Sequence, residues 1–272
     1  MATQIPSFSY TGTYSTEIKN GYWYIYLKSS GTLKFTYAKK LDACIVGGGA
    51  AGQGRTGANT DGRTYGGGGG TVLNKTGISA SAGTSYSIVI GSGGEWGLSP
   101  TDGSASKAFG YSASGGSTTA QVDVSDKGKD GTYAFGDSRL SRYGGGGGRG
   151  GVAPGGAGYS GGAGGGGKGG GAANYSGGGA NAVAGTANTG GGGGGWGDSL
   201  YWKDGDDWLS ESGGHNANGG SGIVILRGTE DDFLPVNFNG TQLTSIIVVQ
   251  GGASTKITGL TFVKDGTSTK VF

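Results

Sequence analysis

Residues 43–52, ACIVGGGAAG, place a short apolar run directly before a run of glycines. The same stretch fits G-x-G-x-x-G, the pattern that opens a dinucleotide-binding βαβ unit with a helix that holds a pyrophosphate. The following residues, QGRTGANTDGRTYGGGGG, have no apolar positions at helical spacing, and Asp61 lies in a Gly/Thr/Asn run rather than at a strand end. We therefore predict a strand that continues into a non-helical glycine segment, with no bound cofactor.

Glycine dominates the composition, with 70 glycines but only four prolines among 272 residues, which excludes a collagen-like chain. Charged residues make up 14% and aromatic residues 10% of the chain. Because disordered chains are usually highly charged and poor in aromatic residues, this composition favours a folded protein. The formal net charge of +2 and the scattered Lys and Arg residues argue against a nucleic-acid partner.

The N-terminal residues MATQIPSFSYTGTY contain neither the basic nor the apolar region of a secretory signal. The apolar runs elsewhere are far shorter than the ~20 residues that span a bilayer, so no membrane partner is expected. A single cysteine, Cys44, excludes a disulfide within the chain. We expect a soluble protein that is made in a cytosol and not exported through a signal peptide.

Aromatic-rich or apolar runs predict β-strands at residues 21–28, 32–37, 42–46, 85–90 and 222–227. The run at 42–46 is almost continuously apolar, which predicts burial on both of its faces. Further on, the dipeptides Asn239-Gly240, Gly251-Gly252 and Asp265-Gly266 predict tight hairpin turns between short strands. The sequence thus divides into an N-terminal β segment (1–43), a glycine-rich domain (44–228) and a C-terminal β module (229–272).

More than half of residues 144–195 are glycine, and within this run glycine recurs every third residue. The repeat comprises Gly155, Gly158, Gly161, Gly164, Gly167 and Gly170. A polyproline-II-type helix has three residues per turn and no internal hydrogen bonds, so glycine along one edge lets such helices pack through their backbones. We favour packed polyglycine-II helices over a flexible linker, because serine is sparse, tyrosines interrupt the run and strands bracket it.

Several of these motifs resemble those of a known family. The segments SGTLKF, DACIVGGG, GTSYSIVIGSGG and GGSGIVILR are similar to the glycine-rich domains of tail fibres and tail-tip proteins in phages and prophages of Gram-positive gut bacteria. The terminal segments NFNGTQLTSIIVV and VKDGTSTKVF resemble the short modules with Asn-Gly turns that end many such proteins. The resemblance covers nearly the whole chain and implies a non-enzymatic adhesin of the virion.

The segment GGGGGWGDSLYWKDGDDWLSESGGH also resembles the glycine-rich region in the extracellular part of anaplastic lymphoma kinase, although it lacks the cysteines of that region. There, polyglycine-II helices form a bundle beside a jelly-roll-like β fold. This resemblance implies a mainly β fold with a polyglycine-II bundle, jelly-roll-like strands around the glycine-rich core, a small C-terminal β-hairpin module and essentially no α-helix. Shared architecture carries over no receptor function.

A cluster of aromatic and acidic residues supplies the predicted receptor contact: Trp196, Tyr201, Trp202, Asp204, Asp206 and Trp208. Aromatic faces beside carboxylates suit stacking on sugar rings, and exposed tryptophans are typical contact anchors. The alternative is structural, because the same rings can cap the ends of glycine helices that have no side chains of their own. Three tyrosines of the glycine run, Tyr143, Tyr159 and Tyr175, are expected between the helices.

Few residues suggest catalysis. His215 is the only histidine, so one chain cannot form a cluster of histidines or a His-rich zinc site, and in the stretch SGGHNANGG it is interpreted as a loop side chain. Cys44 is expected in the core. The acidic groups Asp204, Asp206 and Asp207, and residues 230–232, lack calcium-loop spacing and are interpreted as solvated turns. Glu95 and Asp206 do not make a convincing glycosidase pair. We expect no enzyme activity, no cofactor and no metal.

The resemblance to tail proteins therefore implies a phage tail fibre or tail-tip adhesin that recognises the host cell surface. Its expected partners are a host glycan or protein, other tail proteins and further copies of itself, with a homotrimer favoured. Its expected location is the phage tail of the virion. The alternative is a non-phage glycine-rich surface or structural protein of the ice-binding or spore-coat type.

Overall fold

The computed structural model divides the chain into two compact units, Met1–Asp232 and Phe233–Phe272. It describes residues 4–53, 64–97, 99–119, 127–152, 154–176, 178–204, 207–211 and 214–229 of the first unit, and six short strands of the second. Among these residues the one helix is a turn of 3₁₀-helix at Ala134–Gly136. The predicted mainly β fold with essentially no α-helix is therefore confirmed.

The first unit contains strands β1 to β14. In chain order they are Phe8–Tyr10, Tyr14–Lys19, Tyr22–Leu27, Gly31–Phe35, Lys39–Val46, Val72–Ala80, Ser85–Ile88, Ser106–Ala108, Tyr111–Ala113, Thr132–Tyr133, Arg142–Tyr143, Leu200–Asp204, Asp207–Glu211 and Ile223–Gly228. All five strands that were predicted in this part of the sequence are present as β3, β4, β5, β7 and β14.

Two antiparallel sheets organise the strands. The larger has the order β2-β3-β14-β5-β6 and the smaller the order β1-β4-β7. Strands β8–β9, β10–β11 and β12–β13 form separate two-stranded hairpins or ladders. Because β14 pairs with both β3 and β5, the last strand of the glycine-rich region lies at the centre of a sheet that the N-terminal strands begin.

The main core lies against one face of the five-stranded sheet. Alternate residues of its central strands point into this core together with side chains of the smaller sheet, among them Trp23, Ile25, Leu33, Phe35, Ala43, Ile45, Ile88, Val224 and Leu226. These side chains are at most 1% exposed. Burial of this apolar surface at ~25 cal/mol per Å² is the main stabilisation that the β part contributes.

The opposite face of the five-stranded sheet is also covered. Tyr24, Cys44, Val46 and Ile225 lie in a second buried cluster, which the 3₁₀ turn and strand β11 close. Residues Ala43 and Ile45 of β5 therefore face one core, and Cys44 and Val46 face the other. The prediction that this run is buried on both faces is confirmed.

Residues 47–53 continue from β5 as a non-helical segment that is hydrogen-bonded on all sides. From Gly47 onward, successive N–H groups donate in turn to residues 65–71, 101–104 and 217–220, and this order repeats every third residue. The N···O distances are 2.8–3.1 Å. Carbonyls of the segment accept hydrogen bonds from Gly94, Gly116 and Gly193. Six other segments of the described chain therefore bond to this one.

Residues 189–198 form a second segment of this kind. Gly192, Gly195 and Asp198 donate to Gly145, Gly148 and Gly151, whereas Gly193 and Trp196 donate to Ala50 and Gln53. In both series donor and acceptor advance by three residues at a time, so the segments run parallel. The hydrogen bonds thus follow the same period of three as the glycines in the sequence.

Glycine is required where these segments touch. A Cβ atom on Gly49 would lie 2.1 Å from the carbonyl oxygen of Gly191, and one on Gly147 would lie 2.0 Å from that of Gly193. Both distances are far below the 3.5–4.0 Å at which non-bonded heavy atoms attract each other. Any side chain at these positions would force the segments apart and break their hydrogen bonds.

The tyrosines of the glycine run do not share one environment. Tyr143 is buried, but it lies on β11 in the second cluster against the five-stranded sheet rather than between two glycine segments. Tyr159 and Tyr175 are 37% and 64% exposed, so their expected position between glycine segments is wrong. Tyr159 instead lies at the surface, where the guanidinium of Arg149 stacks 5.3 Å from its ring centroid.

The second unit consists of three antiparallel pairs. They are β15 (Val236–Phe238) with β16 (Thr241–Leu243), β17 (Ile247–Gln250) with β18 (Ala253–Lys256), and β19 (Thr261–Lys264) with β20 (Thr267–Lys270). Each pair flanks one of the predicted turn dipeptides, which confirms three successive hairpins in this module.

Candidate functional site

The glycine segments end together on the side away from the sheets. Gln53, seven residues past the end of β5, donates its N–H to the carbonyl of Tyr65, seven residues before β6. Trp196 donates to the carbonyl of Gln53 at 3.1 Å. We call the region around Gln53, Tyr65, Trp96, Trp196 and His215 the distal end.

A short loop brings Trp96 to the distal end. Two hydrogen bonds close the loop, from the N–H of Thr101 to the carbonyl of Glu95 at 3.1 Å and from the N–H of Glu95 to the hydroxyl of Thr101 at 2.8 Å. The N–H of Trp96 donates to Oδ1 of Asn218 at 2.6 Å. Hydrogen bonds therefore hold the backbone at Glu95, Trp96 and Thr101, while Trp96 stays 53% exposed.

His215 lies between two tryptophans. Its ring centroid is 5.9 Å from that of Trp96 at an interplanar angle of 39°, and 4.7 Å from that of Trp196 in an edge-to-face arrangement. Both separations fall in the range of favourable aromatic pairs. His215 is exposed, as the loop interpretation expected, but it also links two aromatic rings that are far apart in the sequence.

Trp196, the first residue of the predicted receptor contact, is only partly exposed. Its indole Nε1 is buried and has no hydrogen-bond partner among the described residues. Its carbonyl accepts a hydrogen bond from the Thr64 hydroxyl. These contacts favour a packing role for Trp196 at the ends of the glycine segments over a role as a receptor contact.

The structure places most other predicted contact residues on one hairpin. Tyr201, Trp202 and Asp204 belong to β12, and Trp208 belongs to β13. In the ladder Trp202 pairs with Leu209, and Trp208 pairs with Lys203. Asp204 pairs with Asp207 at the end of the hairpin, while Asp206 lies outside the described residues.

The glycine motif that resembles a nucleotide-binding loop has no amide left for a phosphate. Every N–H of residues 47–53 donates to a backbone carbonyl. The residues that directly follow the motif, 54–63, lie outside the described part of the chain. The N–H groups of residues 47–53 therefore bind other segments of the chain and leave none for a phosphate.

Other reactive groups in the described part of the chain are held in structural roles. Cys44 is fully buried, as predicted, and this burial raises the pKa of its thiol to about 12 from an ordinary 9.0. The N–H and hydroxyl of Thr118 donate to Asp102 and lower the pKa of that carboxyl. The described residues contain no group of three or more His, Cys, Asp or Glu side chains that could hold a metal ion.

Sequence reasoning named Trp196 in this region but missed Trp96 and its pairing with His215. Trp96 and His215 lie on separate segments, and the segments between them join through backbone bonds. Most of those bonds involve no particular side chain, the exceptions here being the amides of Asn216 and Asn218, so no sequence pattern marks which segments become neighbours.

Comparison with known proteins does not assign this chain to a class. No family model matches it, and a search of curated proteins finds no match. None of the helices in the described residues is long and apolar enough to cross a membrane.

Proposed function

We propose that this protein is a phage tail fibre or tail-tip adhesin that binds the host cell surface through its distal end and has no catalytic role. The observation that carries this proposal is the exposed Trp96 ring beside the exposed His215 ring. Exposed tryptophans are frequent binding anchors, and anchors contribute more when the scaffold is fixed before binding. The motif resemblance to tail proteins supports the same function.

The glycine segments fit the role of a rigid spacer. We infer that they are polyglycine-II helices beside a jelly-roll-like β part, since their hydrogen bonds repeat every third residue and point to several neighbours. At ~3.1 Å per residue, residues 47–53 would carry the distal end roughly 20 Å from the sheet. Slow amide exchange across residues 144–152 would support this assignment, and exchange as fast as in an unstructured peptide would exclude it.

The expected self-association also has a structural basis. Within the described residues β2 pairs only with β3, so it is an edge strand of the sheet. Its residues Tyr14 and Ile18 are 47% and 51% exposed. An open edge strand is a site for pairing with other chains, and a closed rotational assembly would cover it. We propose a homotrimer. Light scattering of the full chain at micromolar concentration tests this, and a monomer would contradict it.

Two measurements test the adhesin function directly. Mass spectrometry of purified virions should detect the chain, and labelled full-length protein should bind some members of a panel of Gram-positive gut bacteria. Binding should fall when the distal end is altered but not when the β part is altered at an exposed site such as Tyr111. A chain that is absent from virions and binds no cell in the panel is not an adhesin.

A further inference from the structure

Trp96 presents an aromatic face on a backbone that is held on both sides. Gly97 follows it with a φ angle of 153°, a backbone conformation that residues other than glycine rarely adopt. The carbonyl of Gly97 accepts from Nδ2 of Asn216 at 3.3 Å, and the same Nδ2 donates to the carbonyl of Gly52 at 2.7 Å. Asn216 is buried, so it ties the Trp96 loop to the central segment 47–53.

The surroundings of this ring are polar. Glu95, Ser99, His215 and Asn218 are all exposed. A protein-binding anchor typically lies in a well-packed pocket that water cannot enter. An exposed indole that contacts an imidazole and lies beside the amide of Asn218 instead suits a ligand that has one apolar face and many hydroxyl groups.

We propose that Trp96, with His215 and Asn218 beside it, binds a pyranose ring of a neutral cell-surface glycan. The inference rests on the proposed function, because it names the ligand class of the same distal end. The sugar C–H groups would stack on the negative face of the indole, and sugar hydroxyls would bond to the neighbouring polar groups. With a net charge of only +2, the chain has no strong field that would select an anionic polymer.

The binding test uses the full chain on an array of neutral bacterial oligosaccharides, followed by calorimetric titration of the glycans that bind, a readout that does not depend on the Trp96 ring. We expect at least one neutral glycan to bind and Trp96→Ala to weaken its affinity by about tenfold or more. Trp96→Phe, which keeps an aromatic face, should retain part of the affinity. Tyr111→Ala is the matched control, because it truncates another exposed ring, on β9 of the β part.

Melting temperatures of the three variants show whether each one is folded. Failure of the wild-type chain to bind any neutral glycan overturns the proposal. Wild-type affinity in folded Trp96→Ala overturns it as well. If Trp96→Ala does not fold, the affinity of folded Trp96→Phe decides. Weaker binding than that of the wild-type chain then supports the proposal, and equal binding overturns it.

Whole-cell binding separates this inference from the adhesin function. Periodate oxidises vicinal diols of glycans, whereas protease removes surface proteins. We expect periodate treatment of the cells to abolish binding and protease treatment to leave it. Binding that survives periodate but not protease would identify a protein receptor, so the glycan inference would fail while the adhesin function stood.

Discussion

The N–H of Gly193 donates to the carbonyl of Ala50 at 2.9 Å, although the two residues belong to distant parts of the chain. The carbonyl of Gly193 in turn accepts from Gly67 at 2.8 Å. Three segments are thus joined at one residue through backbone groups alone. In this region the backbone supplies the specific contacts that side chains supply in an ordinary core, and the contacts depend on the absence of a Cβ.

Adjacent glycines of one segment should differ strongly in their tolerance of alanine. A Cβ on Gly147 would lie 2.0 Å from the carbonyl oxygen of Gly193, whereas the nearest atom to a Cβ on Gly146 is 3.2 Å away. We expect Gly147→Ala to lower the free energy of unfolding by about 3 kcal/mol or more, as overpacking does. Gly146→Ala should change it by less than about 1 kcal/mol. Urea denaturation measures both, and equal losses would contradict the close packing.

Arg227 should depend on its guanidinium shape as well as on its charge. Its Nε donates to Oδ2 of Asp42 at 3.1 Å, and its Cζ lies 4.1 Å from the Phe135 ring centroid. Lysine cannot keep both the planar stacking and this geometry, so we expect Arg227→Lys to cost about 1–3 kcal/mol of stability. Arg139→Lys is the comparison variant, because the Arg139 side chain is 70% exposed in its bidentate pair with Asp137, and it should cost clearly less stability than Arg227→Lys. An unchanged free energy of unfolding in Arg227→Lys would show that only the charge of Arg227 matters.

Local sequence patterns predicted the strands whose own residues show their burial, such as β3, β5 and β14, but not β2 and β6, most of whose residues are exposed or half-buried. The apolar residues of β5 indicated a strand covered on both sides, and Asn-Gly, Gly-Gly and Asp-Gly pairs indicated the three C-terminal hairpins. The pairing of β14 with β3 and β5 was not predictable, since apolar strands of similar length are interchangeable in sequence. The neighbours of Gly193 were equally hidden, because a glycine carries no side chain that identifies its partner.

Alkaline pH should destabilise the fold through Cys44. Its folded pKa of about 12 lies above the ordinary 9.0, so above pH 9 the unfolded chain loses the thiol proton before the folded chain does. The contribution of the protonated Cys44 thiol to the free energy of unfolding is therefore complete below pH 9. It is lost as the pH rises towards 12, by about 1.4 kcal/mol per pH unit.

Denaturation curves at pH 8, 9.5 and 10.5 measure this dependence. Cys44→Ala removes the thiol and should give a shallower decline, whatever its stability at pH 8. Tyr143, whose pKa burial raises to about 12, should contribute to the remaining decline above pH 10. Identical slopes for wild type and Cys44→Ala would disprove the role of the thiol.

The predicted receptor contact divides into two groups that mutation should separate. Trp196 packs against His215 with its Nε1 buried, so Trp196→Ala should lower the free energy of unfolding by about 2–3 kcal/mol, somewhat less than a fully buried tryptophan would. Trp202 and Trp208 lie on the β12–β13 hairpin. If they contact the receptor, Trp202→Ala and Trp208→Ala should each lower adsorption to cells at least about tenfold while Tm stays nearly constant. Adsorption and Tm are measured on the same preparations, with Tyr111→Ala as the control. Reduced Tm with unchanged adsorption per folded molecule would assign the hairpin tryptophans to packing and leave Trp96 as the contact.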